Sequence, residues 1–338
     1  MVFKDEKLNI RAVIKSLADY VIINSVTTDS TSLFYGRAGM SLCLFETARF
    51  LKDDFIEDYA FALLKQSLLN EKDNIRFDTG LSGIGYAFNY LIRNKFIDSN
   101  FIDIFQKQHD IIVRRFLNQS FTNMELVDLL QQWQLKPYFY YVSDKRADTR
   151  FLELNEICAM KFRISWESIC KDNSSLNKEP YIILWRKYLK ILSFMDNISN
   201  NLYINEYLCL LQKGLLKRDL QSLHSISTIA LRNPNPTFID CAYSSENKYD
   251  LLDFYPIDSL RMETIFSEPY ISNDLMQNII RKWFCNKTVV DIEELLSYKM
   301  SYSGASASLS LGLSRLILGL ISLEMPSKRI VNEIFSVI

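Results

Sequence analysis

The sequence predicts an all-α protein assembled from helical hairpins, and three observations carry that expectation. First, one motif occurs three times: Tyr35-Gly36-Arg37-Ala38-Gly39-Met40-Ser41-Leu42-Cys43-Leu44, Thr79-Gly80-Leu81-Ser82-Gly83-Ile84-Gly85-Tyr86-Ala87-Phe88, and Tyr302-Ser303-Gly304-Ala305-Ser306-Ala307-Ser308-Leu309-Ser310-Leu311. Laid over one another, these put small residues at 36, 39 and 43, at 80, 83 and 87, and at 303, 306 and 310. Steps of three and four place them on one helix face, where a neighbouring backbone can come close. Second, of nine glycines all but Gly214 fall in these stretches or in the helix continuing the last one. Gly costs about 1 kcal/mol against Ala inside a helix, so this clustering serves geometry. Third, Gly36 and Gly80 stand 44 residues apart, and Gly80 to Ser303 is 223 residues, five further steps of similar length. That interval suits two helices and two loops per unit and allows seven hairpins.

In chain order, Ile10, Val13, Ile14, Leu17 and Val21 fall on one helical face, and the polar run Thr27 to Thr31 ends that helix. The first glycine motif opens a second helix reaching about Phe50. Lys52-Asp53-Asp54 is a turn, and Ile56, Tyr59 and Leu63 mark a third helix, broken by the polar residues Asn70 to Asn74. Asp78 or Thr79 is suited to cap the next helix, whose bulky face is Leu81, Ile84, Phe88 and Leu91. Residues 101–116, 182–194, 202–216 and 274–284 also read as helical. Pro137-Tyr138-Phe139-Tyr140-Tyr141-Val142 is β-prone, a short strand or an extended loop. Residues 171–180, 196–201, 232–237 and 244–250 are turn-rich loops. No composition shift divides the chain, so residues 1–338 read as a single domain.

Composition narrows the function. With 39 basic and 40 acidic residues the chain has no cationic excess for a phosphate backbone, which argues against nucleic acid as a partner. Met1 to Asn9 is charged and lacks the apolar run of a signal peptide. The six cysteines have no framework spacing, which suits reduced thiols in a cytoplasmic protein. Gly304 to Leu323 is long enough to span a bilayer, but six of its twenty residues are Ser or Arg. A buried helix is the preferred reading, with no membrane span.

The two N-terminal motifs resemble the lanthionine synthetase C-like (LanC-like) family. The resemblance is carried by Leu33-Phe34-Tyr35-Gly36-Arg37-Ala38-Gly39-Met40-Ser41-Leu42, followed by Ala48-Arg49-Phe50, together with Phe77-Asp78-Thr79-Gly80-Leu81-Ser82-Gly83-Ile84-Gly85 and Tyr90 to Asp98. It covers about residues 8–100, extends weakly over 302–323, and is absent between them. It implies an α/α toroid (barrel) of about seven helical hairpins, with inner and outer rings of helices. It also implies peptide modification of the lanthipeptide type, in which a cysteine thiol adds to a dehydrated Ser or Thr in a ribosomally made precursor.

The family's chemistry rests on zinc, held by a Cys in a Trp-Cys-x-Gly context and a Cys-His-Gly pair one repeat later, which turns the substrate thiol into a thiolate. Here the pattern fails. The two histidines, His109 and His224, do not follow a cysteine, and Cys241 and Cys285, 44 residues apart, have Asn286 where a histidine is needed. No metal, cofactor or catalytic residue is therefore assigned. The expectation is a zinc-ligand-lacking relative of peptide maturation that binds a precursor peptide or a peptide-modifying enzyme in the bowl where the inner helices begin. The alternatives are an active enzyme on the same fold and a purely structural interaction module. The enzyme would be a peptide cyclase with an atypical site or a carbohydrate-active enzyme using paired acids, for which Asp78 or Asp240 could serve, with tryptophans as platforms.

Other candidates carry ordinary readings. Gly80 to Gly85 fails the register of a nucleophile elbow and of a dinucleotide fingerprint. Asp53-Asp54 and Glu57-Asp58 read as a solvated turn and helix face. His109 and His224 read as surface or satisfied polar groups. Cys43, Cys158 and Cys209 read as core, whereas Cys170, Cys241 and Cys285 are left open. Trp133, Trp166, Trp185 and Trp283 read as core or pocket aromatics.

Overall fold

The computed structural model describes residues 10–68, 74–171, 307–309, 312–325 and 330–335. Their regular structure is helical, with no strand among them. Nine α-helices are described: α1 (Ile10–Val26), α2 (Arg37–Leu51), α3 (Asp54–Ser67), α4 (Leu81–Arg93), α5 (Phe101–Asn118), α6 (Leu126–Trp133), α7 (Lys136–Val142), α8 (Asp148–Lys171) and α9 (Leu313–Glu324). A 3-10 turn, Lys145–Ala147, precedes α8, and a six-residue π-type turn, Ile330–Phe335, follows α9. The expected helices at 182–194, 202–216 and 274–284 lie outside the described residues.

The glycine-motif helices are neighbours. α9, α2, α4 and α7 stand side by side in that order, α1 packs on α9 and α2, α3 on α2, and α5 on α4. The two backing helices α1 and α3 are tied by Lys15 Nζ to Asp53 Oδ2 at 3.0 Å and by Ser25 Oγ to Tyr59 Oη at 2.9 Å. α2 is anchored on α3 by Ser41 Oγ donating to Ala60 O.

The turns that open these helices share one construction. Arg37 N donates to Ser30 O at 2.9 Å and Leu81 N to Asn74 O at 2.7 Å, seven residues back in both cases. Ser82 Oγ donates to Ile75 O, and Ser314 Oγ to Ala307 O, again seven back. The N-cap residues Gly36, Gly80 and Gly312 share an extended backbone (φ −132, −136 and −111°). The turns also bond to one another: Leu309 N donates to Phe34 O at 3.0 Å, and Phe34 N to Asp78 O at 3.1 Å.

Gly39 and Gly83 make this spacing possible. A Cβ on Gly83 would lie 2.0 Å from Phe77 O, in its own turn, and 2.7 Å from Leu33 Cβ in the preceding unit. On Gly39 it would lie 1.9 Å from Leu33 O and 2.7 Å from Leu309 Cβ. Gly39 thus sits on Leu309 and Gly83 on Leu33, each the leucine of the neighbouring unit.

Three expectations need correction. The third motif aligns on Gly312 and not on Ser303: the helix starts at Leu313, and the three steps fall on Gly312, Arg315 and Gly319. Gly80 to Gly312 is then 232 residues, and of the Ser303, Ser306, Ser310 stripe all three residues lie outside the described residues. Residues Pro137 to Val142 are neither strand nor loop but part of α7. Pro137 sits in the helix's first turn, where its missing N–H costs nothing, and burial of Tyr138 and Phe139 overrides the β-propensity of the aromatic run. Neither Asp78 nor Thr79 caps α4. Gly80 does, because the turn's carbonyls satisfy the first N–H groups, and Arg76 Nε and Nη2 hold the Asp78 carboxylate at 3.1 and 3.0 Å.

Candidate functional site

α4 is buried on all sides, and its four faces have different partners. Gly83, Ala87, Tyr90 and Asn94 face α2, while Phe88 packs on Phe105 of α5. Gly85 lies against Phe105 and Tyr138. The remaining face, by helical spacing, is Ser82, Tyr86, Asn89 and Arg93. It lies between the α2-facing and α5-facing sides, and its Tyr86 meets Tyr141 of α7.

Polar groups gather along this face and the adjoining edge of α2. Tyr86 Oη donates to Glu333 O of the C-terminal turn. Arg93 Nη2 lies 3.6 Å from Glu333 Oε1, and Asn94 Nδ2 donates to Glu333 Oε2 at 3.2 Å. Tyr141 of α7 closes the wall, edge-on to Tyr86 with centroids 5.4 Å apart and 5.0 Å from the Arg93 guanidinium. Next to them, Tyr90 Oη donates to the fully buried Glu46 carboxylate. Arg49 donates to Asn94 O at 2.5 Å and covers the Phe96 ring at 3.4 Å. Burial pushes the Tyr86 hydroxyl well above its usual range, so it stays protonated and a donor.

Along this strip, hydroxyl, guanidinium and amide donors converge on one carboxylate and one main-chain carbonyl, and aromatic rings form the walls. Among the described residues no group of three or more His, Cys, Asp or Glu could hold a metal ion. The strip escaped the sequence reading. The signal was the same 44-residue interval: Arg49 and Arg93 are equivalent, as are Glu46 and Tyr90.

A second polar cluster lies at the α5–α7 corner. His109 Nδ1 is 2.7 Å from Tyr138 Oη, and its Nε2 is 3.0 Å from Asp144 Oδ2 and 2.9 Å from Arg146 Nη2. Either neutral tautomer leaves both nitrogens partnered. Burial pulls the His109 pKa down, against the Asp144 charge. Burial would raise Asp144, but hydrogen bonds from Arg146 outweigh it and hold that carboxyl low. His109 is only 5% exposed, so this is a satisfied lock between elements, as expected for a polar histidine.

The remaining candidates separate. Asp78, one of the two candidate acids, is held by Arg76 and by Thr79 Oγ1, which donates to it at 3.1 Å. Asp53 is half-buried: it caps α3 by accepting from Ile56 N and pairs with Lys15, while Asp54, Glu57 and Asp58 are exposed as expected. Cys43 and Cys158 are buried free thiols, both pushed by burial up to about 12. Trp133 is buried and stacks on Phe151, a core residue and not a sugar platform. Asp240, His224, Trp185, Trp283, Cys209, Cys241 and Cys285 lie outside the described residues, as do the side chains of Trp166 and Cys170. Among the described residues no helix is long and apolar enough to cross a membrane.

Compared with known proteins, the chain matches no protein-family model and no curated protein.

Proposed function

We propose that this protein is a LanC-like α/α toroid that serves ribosomal peptide maturation by holding a precursor peptide, or the enzyme that modifies it, without zinc-dependent cyclisation of its own. The supporting observation is the head-to-tail chain of turns. Leu309, Phe34 and Asp78 are linked by backbone hydrogen bonds, and the near-C-terminal α9 packs beside the N-terminal α1 and α2. A rotation repeated from one unit to the next, with the two ends meeting, is the construction of a closed ring. The donor-rich face of α4, beside α7 and the C-terminal turn, suits an extended or helical peptide. The sequence offers no Cys-His pair to bind the zinc that thiolate chemistry needs.

The test combines elemental analysis of purified protein with titration of short peptides encoded beside its gene. The expected result is micromolar binding of one such peptide with no bound zinc. Stoichiometric zinc would overturn the non-catalytic half of the reading. Absence of affinity for every neighbouring peptide and modifying enzyme would overturn the binding half.

A further inference from the structure

The face of α4 that we assign to peptide binding is already occupied by the chain itself. Ile330 and Ile334 of the C-terminal turn are fully buried in the common core, four residues apart. Between them Glu333 gives its main-chain carbonyl to Tyr86 and its carboxylate to Arg93 and Asn94. Two aliphatic anchors, one carboxylate and one carbonyl are the elements by which a groove reads a short helical peptide.

We propose that residues 330–335 are an exchangeable, cis-acting occupant of this groove, displaced by a peptide segment of the same chemistry: a glutamate followed by an aliphatic residue, with a second aliphatic residue three positions before the glutamate. The inference rests on the peptide-binding reading above and names the partner's chemistry. The walls of the groove are fixed independently of the occupant, because α4 is clamped by α2, α5 and α7. The charged part of the occupant's hold is light. It is a single π-type turn, a geometry used only in short pieces. Its ion pair is 3.6 Å long, with the Arg93 side chain 44% exposed, the kind that contributes little. A tethered segment held by two buried isoleucines and such weak polar contacts is kept in place with the help of its effective concentration, and yields to a better-matched or more abundant peptide.

The probe is a fluorescein-labelled synthetic peptide with the sequence of residues 326–338, titrated by anisotropy into the full-length chain. In the wild type the tethered copy competes and binding is weak. Glu333→Arg in the full chain turns the Arg93 contact repulsive, so the native-sequence peptide should bind about tenfold more tightly or better. Adding Arg93→Glu to that variant restores the tethered pair with reversed charge and removes the peptide's own partner, and binding should fall back. A folded Glu333→Arg chain that binds the peptide no better than wild type overturns the proposal. Should that variant not fold, hydrogen exchange on the wild-type chain decides. Excess peptide should deprotect the amides of 330–335 while α4 stays protected, and unchanged protection of 330–335 overturns exchange. Because the probe is the chain's own sequence, exchange without affinity for any neighbouring precursor would retire the precursor reading and leave this one standing.

Discussion

Two junctions in this molecule are built by opposite means. The seam between α2 and α4 is made by leaving atoms out: Gly83 lets Phe77 O and Leu33 Cβ occupy the space where a side chain would begin. The corner between α5 and α7 is made by putting atoms in, with His109, Tyr138, Asp144 and Arg146 completing one hydrogen-bonded cluster. The seam fixes the distance between repeating units and tolerates nothing. The corner fixes a single irregular turn and depends on protonation. Substitutions that strain the first and titrations that strain the second should behave differently, and that difference can be measured.

The largest effect is expected at Gly83. An alanine Cβ 2.0 Å from a backbone carbonyl cannot be accommodated by a rotamer change, so the turn or the helix must move. Gly83→Ala should cost about 3 kcal/mol or more, read as a drop in the denaturant midpoint. A loss under about 1 kcal/mol would show that the seam is softer than its geometry implies.

Gly85 gives the same substitution against a different obstacle. There a Cβ would meet ring atoms, Phe105 Cε1 at 2.6 Å and Tyr138 Cε2 at 2.7 Å. Both rings are fully buried, but a side chain can tilt where a backbone carbonyl cannot, so Gly85→Ala should cost about 1–3 kcal/mol. Shortening the obstacle with Phe105→Leu should recover part of the loss made by Gly85→Ala, measured as a coupling energy in a double-mutant cycle. No rescue is expected for Gly83→Ala by Leu33→Ala, because the carbonyl remains.

The contrast also explains what the sequence disclosed. Helices α1 to α5 were legible because their apolar residues recur at helical spacing, and the seam was legible because Gly36, Gly39, Gly80 and Gly83 repeat in a chain otherwise poor in glycine. α7 was not, since Pro137 followed by aromatic residues has β-propensity and only packing against α4 makes it helical. The third unit's register was misread because serines at 303, 306 and 310 imitate the small stripe, whereas the cap is Gly312 and a buried Arg315 stands at the position of Gly39 and Gly83. The candidate groove was half legible: Arg49 and Arg93 share a repeat position, but Glu333 reaches Asn94 across 239 residues of sequence, and no local pattern announces such a contact.

The smallest effect is the pH response of the corner. The His109 pKa is lowered in the folded state, through burial, from a value near 6.5 in the unfolded chain. Above about pH 6.5 both states are neutral there and the corner contributes in full. As pH falls below that value the unfolded chain takes up a proton that the folded chain refuses, so stability declines until the lowered folded pKa is reached. Asp144, Arg146, Asp110 and Tyr138 are the charged or titratable groups acting on this cluster. Asp144, also held low, withdraws its own contribution at more acidic pH, as it protonates. His109→Gln keeps a polar side chain without the titration. It should lower stability at pH 8 by about 1–2 kcal/mol, for the hydrogen bonds it makes less well, and should flatten the decline just below pH 6.5 while leaving the acidic limb attributed to Asp144. If wild type and His109→Gln lose stability in parallel across that window, the proton acts elsewhere, and the corner is as indifferent to pH as the glycine seam.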